Sequence, residues 1–114
     1  MLKYALLVFL VAALGGLFMA TFVLRGKLAP WAVSLLHAFL GATGLVLLLT
    51  GIMMGGGGTF ALAALGVLVT AALFGFYLAS VHYGKRVAMK KLVLTHAGVA
   101  VIGVTLLLLA ILGP

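Results

Sequence analysis

Four long apolar runs, separated by short segments that carry basic residues or glycine, divide this sequence. The runs cover about residues 4–24, 31–53, 59–81 and 92–112. A helix that crosses the hydrocarbon core of a bilayer needs about 20 apolar residues, so each run predicts one transmembrane helix. The pattern therefore predicts an all-α membrane protein, in which residues 1–114 form a single transmembrane domain built as a four-helix bundle.

The second half of the chain resembles the first. An offset of 59 positions aligns residues 1–55 with residues 60–114 without a gap, and identical pairs occur roughly twice as often as the composition gives by chance. The pairs include Ala12/Ala71, Gly16/Gly75, His37/His96 and Gly44/Gly103. We therefore expect two tandem two-helix repeats, joined by a glycine linker at residues 55–58 and related by a pseudo-two-fold axis along the membrane normal. The first helix has a counterpart in the third, which favours a retained span over a cleaved signal peptide.

The amino-acid composition excludes most kinds of catalytic and metal-binding chemistry. The chain is 68% hydrophobic and only 6% charged, far from an ordinary soluble domain. It has seven Lys and Arg but no Asp or Glu, and it also lacks Asn, Gln and Cys. A carboxylate base, a carboxylate metal ligand, an acidic proton relay and thiol chemistry are therefore excluded. The basic residues lie in short loops beside the spans, so we expect no nucleic acid partner.

The basic residues predict the orientation in the membrane. Six of the seven lie in the two loops within the repeats, and only Lys3 lies on the opposite side. These six residues are Arg25, Lys27, Lys85, Arg86, Lys90 and Lys91. Basic loops remain in the cytoplasm, so we expect a multi-pass protein of the cell inner membrane with both termini outside.

Two histidines are the strongest candidates for function. His37 and His96 are repeat equivalents, and each lies six or seven residues inside its helix from the basic loop, or roughly 10 Å deep at 1.5 Å per residue. Ionisable residues inside a membrane usually mark function. The helical face of each histidine continues through small residues, namely Gly41 and Gly44 after His37 and Ala100 and Gly103 after His96. Such bare faces admit either a flat ligand or a close helix.

Two imidazoles at one depth on facing helices have the arrangement needed for bis-histidine ligation of haem b. In residues 36–44 and 95–103 the chain resembles membrane-anchored b-type cytochromes, whose helical bundles hold haem between histidines. The resemblance implies an electron-transfer subunit of an oxidoreductase, part of a respiratory complex and able to react with quinone. Because hardly any of the chain lies outside the spans, we also expect partners within the lipid bilayer, either other membrane subunits or a second copy of the chain. The basic loops would compensate the haem propionates.

Other interpretations stay open. His37 and His96 could form hydrogen bonds to neighbouring helices, or they could hold another metal or sense pH. Zinc is disfavoured because it needs three or four protein ligands. His82 breaks the repeat, and it could bind a quinone carbonyl or a propionate or be a solvated interfacial residue. At the level of the whole protein, the alternatives are a small four-helix transporter or channel, similar in size to small multidrug transporters but without their membrane glutamate, and a structural subunit without cofactor.

Overall fold

A computed structural model describes residues 1–113 and confirms the four helices. They are α1 (Leu2–Val23), α2 (Trp31–Met53), α3 (Gly58–Tyr83) and α4 (Lys90–Leu112). Each helix is long and apolar enough to cross a membrane. The longest dimension of the molecule is 42 Å, which matches a bilayer of about 40–45 Å with its headgroups. The chain is thus an all-helical transmembrane bundle. Pro114 lies outside the described residues.

The helices stand at the corners of a square. The most extensive packing joins α1 to α2 and α3 to α4, so the chain consists of two helical hairpins. The hairpins meet along two seams, one between α2 and α3 and one between α1 and α4. Within residues 1–113, α1 makes no backbone approach to α3, nor α2 to α4. The two helices that carry His37 and His96 therefore face each other diagonally across the bundle.

A packed core fills the half of the bundle near the glycine linker. Leu48 and Leu107, which are equivalent under the 59-residue offset, are fully buried. Beside them, the side chains of Phe9 and Leu68 lie over Gly44 and Gly103, the positions where α2 and α4 present bare backbone. The remaining members of this core are Ala5 and Ala64. Large side chains thus meet glycine and alanine at one level, and the helices close on each other there.

Small residues leave the other half of the bundle hollow. On the inner faces of α1 and α3, the turns beyond Phe9 and Leu68 carry mainly alanine and glycine. Methyl groups are too short to fill the space between helices whose spacing is set by the larger core residues. The size pattern along the sequence therefore produces a cavity between the core and the basic loops.

Gly44 and Gly41 provide a matched test of this packing. A Cβ atom at Gly44 would lie 2.6 Å from the Phe9 ring, whereas nothing lies within 4 Å of a Cβ at Gly41. We expect Gly44→Ala to lower the free energy of unfolding by about 1–3 kcal/mol, because overpacking forces the ring to move. Gly41→Ala, one turn away, should cost little. Unfolding in mixed detergent micelles titrated with SDS measures both, and equal losses would contradict the packing described.

Candidate bis-histidine site

The hollow half of the bundle contains a cavity of about 470 Å³. All four helices line it, and Phe9 and Leu68 form its floor above the packed core. The cavity reaches to the basic loops, where His82 and Arg86 lie on its wall. Its size falls within the range of about 300–1,000 Å³ that is typical of small-molecule and cofactor sites.

His37 and His96 face each other across this cavity. Their ring centroids are 6.1 Å apart, and the ring planes are inclined by 81°. Both side chains line the cavity and both are partly buried. The structure therefore brings together the two histidines that the sequence placed at one depth.

A backbone carbonyl of the neighbouring helix fixes each imidazole. The Nδ1 of His37 lies 2.8 Å from the carbonyl oxygen of Ala12, and the Nδ1 of His96 lies 2.8 Å from that of Ala71. A carbonyl oxygen only accepts hydrogen bonds, so each neutral ring carries its proton on Nδ1. The lone pair of each ring is then on Nε2, the nitrogen that remains available to bind a ligand.

The two Nε2 atoms have no protein partner among residues 1–113. No hydrogen bond joins either atom to another group, and no fully buried side-chain nitrogen or oxygen is left unpaired in this part of the chain. Histidines that bind metals commonly donate their second ring N–H to a carbonyl or carboxylate, which fixes the ring and its tautomer. His37 and His96 both have this arrangement.

Gly16 and Gly75 make room for the imidazoles. A Cβ at Gly16 would lie 3.0 Å from the Cε1 atom of His37, and one at Gly75 would lie 3.1 Å from that of His96. Any side chain at these positions would press on the ring that the adjacent carbonyl holds. Sequence reasoning assigned these glycines no role, although the pairs Ala12/Ala71 and Gly16/Gly75 are among the identities that define the repeat.

The small residues that follow the histidines divide into two groups. Gly41 and Ala100 line the cavity beside the imidazoles. Gly44 and Gly103 are buried below it, against Phe9 and Leu68. The sequence left open whether these small residues make room for a ligand or for a neighbouring helix. Gly41 and Ala100 border space that a ligand could occupy. Gly44 and Gly103 instead make room for a side chain of a neighbouring helix.

His82 lies at the loop end of the cavity, apart from the histidine pair. Its Nε2 is 2.8 Å from the carbonyl oxygen of Ala29 in the loop between α1 and α2. The Trp31 ring contacts the imidazole edge-on, with centroids 5.0 Å apart. The side chain is partly buried and joins α3 to the first hairpin, so it is not simply a solvated interfacial residue.

The spacing of the histidine pair fits a shared haem iron. With an iron–nitrogen bond of about 2 Å and roughly 1.1 Å from the nitrogen to its ring centre, two axial imidazoles have ring centres about 6 Å apart. The observed distance between the two ring centroids is 6.1 Å, so His37 and His96 are the residues that would hold the iron. Among residues 1–113 no cluster of three or more metal-ligating side chains exists, which disfavours zinc.

The basic residues contribute unequally to the cavity. Of the six cations in the two loops, Arg86 is the one that lines it. The other five are exposed on the loops and on the first turn of α4. The structure thus offers one guanidinium near the cavity and a wider basic surface around its loop end.

No protein-family model, no curated protein and no solved structure matches this chain.

The tautomers of the three histidines provide a direct test of the site. We expect neutral His37 and His96 to carry the proton on Nδ1, because Nδ1 faces a carbonyl in both. His82 should carry it on Nε2, because Nε2 faces Ala29. Long-range ¹H–¹⁵N correlation spectra of the ¹⁵N-histidine-labelled protein at alkaline pH distinguish the two forms. The same tautomer at all three histidines would contradict the assignment.

Proposed function

We propose that this chain binds one haem b between His37 and His96 and acts as an electron-transfer subunit of a membrane oxidoreductase. The observation that supports the proposal is the pair of imidazoles facing each other at 6.1 Å across a cavity. Both rings are bonded at Nδ1, so in both the lone pair lies on Nε2, and both rings line the same cavity. The bundle core is a common place for such a cofactor, with ligands on facing helices.

The residues around the pair would hold and tune the cofactor. The Ala12 and Ala71 carbonyls orient the rings and increase their basicity as ligands. The floor and most of the walls are apolar side chains, and a surrounding of low polarity, together with axial ligation, would control the reduction potential of the haem. Arg86 would compensate a propionate as a charge-assisted donor. The haem, when bound, supplies the one-electron chemistry.

The proposal includes partners and a location. Nearly all residues lie in the four spans, so electrons must come from and pass to other molecules in or beside the membrane. We propose the cell inner membrane, with the two basic loops in the cytoplasm and both termini outside, because basic loops resist translocation. Other membrane subunits or a second copy of the chain would be the protein partners. Quinone remains a candidate redox partner within the bilayer, although the Nε2 of His82 is already bonded to Ala29.

A structural subunit without cofactor is the second candidate. The bonds from Nδ1 to Ala12 and Ala71 join the two helices of each hairpin, and hydrogen bonds of this kind contribute about 1 kcal/mol within membranes. This role uses one nitrogen of each ring and leaves both Nε2 atoms directed at no protein group. A transporter or channel is less well supported, because the packed core closes the bundle below the cavity.

Histidine substitutions test the haem proposal. The reduced wild-type protein should show the sharp α band of low-spin haem b. In His37→Ala or His96→Ala, one axial ligand is lost, so the spectrum should become high-spin or disappear, and the two variants should behave alike. Visible spectra of the dithionite-reduced, purified proteins measure this.

His82→Ala is the matched control, because its ring lies on the same cavity but outside the pair. It should keep the low-spin spectrum. A wild-type protein that takes up no haem would favour the structural subunit. A spectrum unchanged in both His37→Ala and His96→Ala would reject this pair as ligands.

Reporter fusions test the orientation. Alkaline phosphatase fused after the last residue should be active outside the cytoplasm, whereas the same enzyme inserted after Lys27 should be inactive. A fluorescent reporter that folds only in the cytoplasm should give the opposite pattern. Phosphatase activity at Lys27 together with inactivity at the chain end would invert the proposed topology.

A further inference from the structure

The two seams between the hairpins are not equivalent. At the α2/α3 seam, the imidazole of His82 donates to the carbonyl of Ala29. Within residues 1–113 this is the only side-chain hydrogen bond that joins the two hairpins. The 59-residue offset places Val23 opposite His82 and Ala88 opposite Ala29. Valine cannot form this bond, so the α1/α4 seam lacks it.

Burial follows the same asymmetry. Ala29 is only 7% exposed, whereas its equivalent Ala88 is partly exposed. Trp31 packs against both His82 and Tyr83 at the α2/α3 seam. The equivalent of Trp31 is Lys90, which extends into solvent. One seam is therefore closed at the loop end by an imidazole and an indole, and the other has neither group.

The cavity extends to the surface along the α1/α4 seam. Gly15 and Gly16 lie next to His37 of α2, so they mark the side of α1 that faces α2. The flank on the other side of α1 faces α4. Residues on that flank and on the facing flank of α4 both line the cavity and are exposed. They are Leu10, Ala13, Leu17, Ala97, Val101 and Thr105.

The equivalent residues at the α2/α3 seam give a narrower approach. Val69 and Val46, the counterparts of Leu10 and Thr105, are absent from the cavity wall. Ala72 and Ala38, the counterparts of Ala13 and Ala97, line the cavity but are partly buried. Phe76 and Ala42, the counterparts of Leu17 and Val101, line the cavity and are exposed, so the α2/α3 seam exposes the cavity over a shorter stretch. The cavity thus opens more widely towards the lipid on one side than on the other.

We infer that the cavity opens to the bilayer mainly through the α1/α4 seam and that the His82–Ala29 bond keeps the α2/α3 seam narrow. A flat, lipid-soluble ligand would enter edgewise between α1 and α4, with Leu10 and Thr105 at the lower edge of the opening, next to the packed core. The identification of this ligand as haem rests on the proposed function. The opening itself can be tested first in the protein without haem.

Spin labels compare the two seams in the protein without haem. The chain has no cysteine, so a single introduced cysteine carries the only label. Labels at Ala13→Cys and Ala97→Cys should be at least twofold more accessible to oxygen dissolved in the bilayer than labels at Ala72→Cys and Ala38→Cys. Power-saturation EPR in liposomes measures the accessibility. Equal values at positions 13 and 72, and at positions 97 and 38, would contradict the inference that the cavity opens through the α1/α4 seam.

His82→Val tests the bond that keeps the other seam narrow, because it installs the residue found at the equivalent position, Val23. In this background, oxygen accessibility at positions 72 and 38 should rise to within twofold of positions 13 and 97, while the latter stay unchanged. No rise at positions 72 and 38 would show that the bond does not keep the seam narrow.

Haem association tests the route itself. Leu10→Trp places an indole at the α1/α4 opening and should slow haem association at least tenfold. Val69→Trp is the matched control on the α2/α3 side, outside the cavity wall, and should stay within twofold of wild type. Equal slowing in both variants would overturn the route. If wild type takes up no haem, the proposed function fails, and the labels still decide which seam is more open.

Discussion

The hydrogen bond from each histidine Nδ1 to a carbonyl of the preceding helix is the interaction on which the candidate site depends. It occurs twice, from His37 to Ala12 and from His96 to Ala71, each time across 25 residues of chain. In both cases a glycine four residues after the carbonyl leaves space for the ring. The bond fixes the position, the rotation and the tautomer of the imidazole at once. Without it, two flexible side chains would share a cavity, but no defined pair of ligands would face each other.

The hollow half of the bundle depends in turn on the packed half. Phe9 and Leu68 lie over Gly44 and Gly103, and the fully buried Leu48 and Leu107 complete the core. In a membrane the lipid tails are as apolar as these side chains, so association of the helices depends on close packing more than on hydrophobic transfer. The core therefore sets the distance between the helices. The alanines and glycines of the next two turns cannot close that distance, and a cavity follows.

Apolar length was enough to predict the four helices. The predicted span at residues 31–53 agrees with α2 at both ends. The other three predicted spans agree with their helices to within two residues at either end. Helical periodicity and the repeat also predicted that His37 and His96 meet.

The different surroundings of Gly41 and Gly44 could not be predicted from the sequence, because periodicity identifies a face of a helix but not the group opposite it. The partner of Gly44 is Phe9, 35 positions away and on another helix. The carbonyl groups that accept hydrogen bonds from the histidines could not be predicted either, because every residue has a backbone carbonyl and the pattern of side chains does not indicate which one is used.

Under the 59-residue offset, the differences between the two halves of the chain carry as much information as the identities. The histidine pair, its carbonyl partners and its glycines are retained in both halves, so the two hairpins contribute equally to the centre of the bundle. At the loop end they diverge, with His82 and Trp31 in one seam opposite Val23 and Lys90 in the other. Two identical seams would open or close together, because each would present the same side chains to the bilayer. If the cavity takes up a ligand as proposed, unequal seams are an advantage, since one seam can hold the hairpins together while the other gives access. Within residues 1–113, the single side-chain hydrogen bond between the hairpins lies at the α2/α3 seam, where fewer exposed residues line the cavity.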